Sequence, residues 1–197
     1  MTARTPGRVR TLPPRPRPPL VPSPVLGVLI FVVTEIMLFS GFVSAFTIMR
    51  GSAVIWPPPG QPRLPVEETA FNTLLLLASG GVLWLAQRRF RRSQESARVP
   101  LLASILLGGG FVVLQGREWV SMLAQGLTLR SSALGSFFYL IVGFHALHAV
   151  VALGILIWVW RRLRRGSIPP ATLAAAGIFW YFVVLVWPVL YWRVYLS

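Results

Sequence analysis

Five long apolar runs, parted by breaks rich in arginine and proline, constrain this chain more than any other feature. They lie at about 25–49, 68–86, 99–122, 133–160 and 171–195. A helix crosses a bilayer with about 20 apolar residues, and each run is close to that length or longer. The breaks cannot continue the helices. Trp56-Pro57-Pro58-Pro59-Gly60 holds three prolines, each lacking a donor and each biasing its predecessor away from the α region. The segment 88–98 is polar, and 161–170 combines four arginines with Gly166, Pro169 and Pro170. The expected fold is an all-α integral membrane protein, a bundle of five transmembrane helices spanning 25–197. An Arg/Pro-rich tail over 1–24 precedes it.

Composition supports the membrane assignment. The chain is 55% hydrophobic and 12% charged, with a mean hydropathy of +0.68, a balance that fits a polytopic membrane protein better than a soluble domain with one core. The net charge of +14 does not indicate nucleic acid. All 19 basic residues are arginine, and they cluster between apolar runs without forming a stripe interleaved with aromatics. Cysteine is absent, which excludes disulfides and thiolate metal sites. The first 24 residues do not resemble a cleaved signal peptide.

Fourteen of the arginines fall in the tail, the second loop and the fourth loop, all on one side of a five-helix topology. The positive-inside rule then predicts a cytoplasmic N-terminus and an external C-terminus. The tail itself reads as polyproline II with no core. It is either a basic anchor on anionic headgroups or a strap along a partner's cytoplasmic face.

Against this background Glu35 stands out, about ten residues inside the first run. A carboxylate at such depth costs roughly 2.5 to 3.5 kcal/mol on insertion scales, so it is a functional candidate. At 1.5 Å per residue it lies about 15 Å from the cytoplasmic end of its helix. His145 and His148, near the middle of the fourth run, fall at about the same level. Their spacing of three places them on one helix face. The three side chains could form a buried polar cluster, or hold a lipid headgroup or a water. A zinc or iron site from the same trio is the sharper alternative. Two histidines on one face of one helix exclude bis-histidine haem ligation within the chain.

Glu118, in Leu114-Gln115-Gly116-Arg117-Glu118-Trp119, reads either as an interfacial group near the aromatic belt or as a structural contact toward the fourth helix. Glu67 and Glu68 open the second helix, where carboxylates favour the positive end of the dipole. Asn72 and Thr73 are of the small polar type that bonds across helices in lipid. Glu67, Asn72 and Glu118 are thus expected to make structural polar contacts. Glycines at 80–81, 108–110, 135, 143 and 154 allow close helix approach. Trp180 and Trp187, seven apart, mark a packing face on the last helix, and Pro188 is expected to kink it. No phosphate-binding loop, nucleophile elbow or paired catalytic carboxylates appear.

Several of these strings, in this order, resemble subunit III of the haem–copper oxidases, the cytochrome c oxidase family. FVVTEIMLFSGFVSAF resembles the family's glutamate helix, and WPPPG followed by NTLLLLASG its next loop and helix. LQGREW, GSFFYLIVGFHALHAVVAL and FWYFVVLVWPVLYWRVY complete the set. The resemblance covers about 25–195. It implies a five-helix form of a subunit that has seven helices in mitochondrial-type enzymes. It also implies a subunit binding no haem or copper itself, packed against the haem- and copper-bearing catalytic subunit I and against subunit II. Glu35, His145 and His148 match positions associated with bound phospholipid. Where the family's last helix reads Trp-His-Phe-Val-Asp, this chain has Trp180-Tyr181-Phe182-Val183-Val184.

The expectation is therefore a non-catalytic subunit III of a respiratory haem–copper terminal oxidase, in a bacterial inner membrane. It would brace the catalytic subunit and hold lipid. The electron donor is either cytochrome c or quinol. The nearest alternative is an accessory subunit of a nitric oxide reductase. A stand-alone proton-coupled transporter relaying through Glu35 is the alternative from another class, although the five runs show no repeat.

Overall fold

A computed structural model describes residues 21–56 and 65–196. Most of the Arg/Pro tail, and the proline run 57–59 with Gly60, lie outside the described residues. Five helices long and apolar enough to cross a membrane are present, and no strand occurs among the described residues. They are α1 (Ser23–Ser52), α2 (Val66–Phe90), α3 (Arg98–Ala124), α4 (Ala133–Arg165) and α5 (Pro170–Leu190).

The helix ends have local causes. Proline in the first turn starts α1 and α5, where its missing N–H costs no helical bond. α4 continues through Arg161, Arg162, Arg164 and Arg165 before Gly166 ends it, although hydropathy closes the span at Trp160. Arginine is a good helix former and sits well at the negative end of the dipole, so hydropathy marks the apolar part and not the helix. α3 ends in a Schellman motif. Gly126 takes φ 88°, Leu127 N–H reaches Met122 O at 3.0 Å, and Gly126 N–H reaches Leu123 O at 3.1 Å. Ser132 caps α4 by accepting from Gly135 N–H at 3.0 Å.

α5 is the central element. In its span 61% of the most apolar stretch is buried, against 6% for α1, which lies at the edge against α4 and α5. α2 packs along α3, and α5 also meets α2 and α4. A ladder of side-chain hydrogen bonds fixes the antiparallel register of α2 and α5. Trp187 Nε1 donates to Thr73 Oγ1 at 2.9 Å, and Trp180 Nε1 to Ser79 Oγ at 3.0 Å. Tyr181 OH donates to Gln87 Oε1 at 3.0 Å, and Tyr191 OH to Val66 O at 2.9 Å. The face that the sequence marks as apolar packing is therefore also a polar anchor. Each hydroxyl accepts an indole N–H while donating to a carbonyl of its own helix, so neither group is left unsatisfied in lipid. Beyond Pro188 the last helix passes into a π turn over Tyr191–Tyr195.

At the arginine-rich end, Gln94 joins the α2–α3 connection to the α4–α5 connection. Its amide donates to Ile168 O at 3.1 Å and accepts from Ile168 N–H at 3.0 Å. There Arg88 stacks over Trp84, with Cζ 4.5 Å from the ring centroid, and Arg164 over Trp160 at 4.9 Å.

Candidate functional site

α1 carries Glu35 on the flank turned toward α4, and the structure brings it to His148. His148 Nε2 lies 3.1 Å from Glu35 Oε2, both side chains being nearly buried. The pair is close but out of hydrogen-bond alignment. His148 Nδ1 is 2.7 Å from Phe144 O. A carbonyl only accepts, so Nδ1 carries a hydrogen. That leaves Nε2 as the ring atom facing the Glu35 carboxylate. Phe31, Phe39, Phe179 and Phe182 surround the imidazole with ring centroids 5.6 to 6.3 Å away, keeping the contact in an apolar shell.

His145 does not join this pair. It is 1% exposed, its ring centroid lies 4.9 Å from that of Trp187, and neither ring nitrogen has a hydrogen-bond partner. Among the described residues no three His, Cys, Asp or Glu side chains converge as a metal-ligand set. The trio of Glu35, His145 and His148 is thus divided between two environments.

Glu118 forms a second polar centre, between α3 and α2. It is 6% exposed. Asn72 Nδ2 donates to Oε1 at 2.5 Å, and Gln115 Nε2 to Oε2 at 2.7 Å. Thr69 Oγ1 is 2.9 Å from Oε2 and 2.7 Å from Pro65 O, its single proton serving one of them at a time. Tyr195 OH accepts the second Gln115 N–H at 3.2 Å. These partners come from α2, α3 and the chain's C-terminal turn, not from α4. Glu67 and Glu68 are exposed in the first turn of α2. Sequence reasoning passed over Thr69 and Gln115. The spacing of three between Gln115 and Glu118 is the signal that could have found the latter.

A groove between α1 and α5, about 460 Å³ and lined by Ile36, Phe39, Ile178, Tyr181 and Leu185 among others, runs along the outer flank.

A sequence profile for cytochrome c oxidase subunit III matches residues 23–197. The chain belongs to the cytochrome c oxidase subunit III family. Its relatives include cytochrome c oxidase subunit 3 of Synechocystis sp., 32% identical over 177 residues, covering 87% of this chain and 75% of the relative. The Thermostichus vulcanus subunit is 28% identical, covering 87% and 86%, and that of Rattus norvegicus 32%, covering 86% and 67%. Subunit III is a non-catalytic, multi-pass membrane subunit of a haem–copper oxidase, associated with the other oxidase subunits. Two departures from the subunit III pattern now have a structural account. Tyr181 bonds Gln87 of α2. Val184 packs on Gly80, where a Cβ would stand 3.1 Å from Val184 Cγ1. Both side chains lie at the α2–α5 contact.

Proposed function

We propose that this subunit III braces the catalytic subunit of a respiratory terminal oxidase and retains phospholipid along α1, with the Glu35–His148 pair as the polar element of that site. The observation that carries the reading is a carboxylate–imidazole contact of 3.1 Å that joins the least buried helix of the bundle to α4. A nearly buried pair in an apolar shell is costly in lipid and persists where it serves a role. The apolar groove beside it has the chemistry of an acyl-chain seat. Family membership supports haem and copper in the neighbouring subunit I, with subunit II completing the complex. The placement is a bacterial inner membrane, with the arginine-rich loops cytoplasmic. Oxygen reduction coupled to proton pumping is the activity of the whole assembly.

The test is to compare wild-type and Glu35→Ala complexes for phospholipid content and for loss of activity per turnover. The expected outcome is less bound phospholipid and faster turnover-dependent inactivation, with unchanged initial haem spectra. Unchanged lipid and inactivation would sink the lipid role. Mild-detergent isolation should bring down a copper-containing partner with a-type haem. A b-type haem and non-haem iron partner would instead redirect the assignment to nitric oxide reductase.

A further inference from the structure

We propose that the cavity between α3, α4 and α5 is a water-binding site, in which Gln115, Trp119 and His145 hold ordered water. Its volume is about 150 Å³, and its lining also includes Phe111, Val142 and Trp187. Among the described residues six buried side-chain polar atoms lack a hydrogen-bond partner. Four of them, Gln115 Oε1, Trp119 Nε1 and both ring nitrogens of His145, belong to residues lining this one cavity. Buried polar atoms are almost always bonded, so four orphans around a single space indicate a polar occupant.

The donor and acceptor balance identifies its chemistry. Gln115 Oε1 accepts and Trp119 Nε1 donates. A neutral imidazole offers one donor and one acceptor. The wall thus presents two of each, which matches water, itself a double donor and double acceptor. An acyl chain satisfies none of the four. A bare cation would be repelled by the indole N–H, and a fully ionised phosphate could not donate to Gln115 Oε1. One water takes about 30 Å³ of liquid, so a small cluster fits.

Gln115 and Trp119 are four apart on α3 and share a face, while His145 enters from α4. The Gln115 amide is half satisfied, its Nε2 bonding Glu118 and Tyr195 and its Oε1 left without a partner. The water therefore continues a hydrogen-bonded network from Glu118 to His145. An amide relays protons poorly, so this network holds side chains in place and is not a proton path. It involves neither Glu35 nor His148, and it stands whether or not the lipid role does.

The experiment is a structure of the assembled oxidase at a resolution that shows ordered water. The expected result is water density within hydrogen-bond distance of Gln115 Oε1 and a His145 ring nitrogen. An acyl chain, a side chain of another subunit, or no density there would overturn the proposal. His145→Leu supplies a second readout. With water present, the melting temperature of the complex falls by a few degrees, because the cluster loses its partner. A dry cavity predicts the opposite sign, since the variant removes two unsatisfied atoms, and an unchanged or raised value overturns the proposal. If His145→Leu does not assemble, the wild-type density decides.

Discussion

At Glu118 one carboxylate organises groups from three parts of the chain, and removing it strands them. Asn72 and Gln115 each direct an amide N–H at it from a buried position. A buried donor left without its acceptor costs about 1–3 kcal/mol. Glu118→Leu is expected to destabilise by about 3 kcal/mol, read from thermal unfolding in mild detergent. Glu118→Gln is expected to fall between, because its amide replaces one acceptor with a donor facing other donors. Gln115 spaced three before Glu118 was legible in the string Gln-Gly-Arg-Glu. The side chains reaching it from α2 were not, since nothing local to α3 names its neighbour.

Between elements, the contact of α5 with α2 and α3 rests on indole rings fitted to small residues. A Cβ on Gly108 would stand 2.5 Å from Trp180 Cζ2, whereas nothing lies within 4 Å of one on Gly110. Overpacking a fitted core costs about 1–3 kcal/mol. Gly108→Ala should therefore lower the melting temperature clearly, while Gly110→Ala leaves it unchanged or slightly raised, since alanine is the better helix former. Trp187→Phe keeps an aromatic ring but loses the bond to Thr73 Oγ1. Its expected cost is about 1 kcal/mol, plus the space left by the smaller ring, as a chemical denaturation series would show. The glycine runs visible in the sequence announce close packing in general. Only the folded bundle separates Gly108, which touches a ring, from Gly110 two residues on.

For the whole molecule, the expected orientation comes from the arginine bias. The predicted topology puts the α2–α3 connection in the cytoplasm and the α3–α4 connection outside. The chain has no native cysteine, so single cysteines report cleanly. Ser93 and Arg130 are both exposed. In intact cells an impermeant maleimide should label Arg130→Cys at once, and Ser93→Cys only after the membrane is opened. The reverse pattern would invert the topology.

The sequence by itself determined the five spans, the membrane-embedded glutamate and the one-sided arginine bias. Each of these depends on length, hydropathy or charge along the chain, which the membrane reads locally. Tertiary structure alone decided which polar groups meet. His145 and His148 share a helix face, yet a spacing of three residues still turns them about 60° apart. In a helix with several neighbours that angle suffices to send one to Glu35 of α1 and the other against Trp187 of α5. The partners of a membrane carboxylate are set by helix packing, because lipid offers it none and sequence spacing does not say which helix stands opposite.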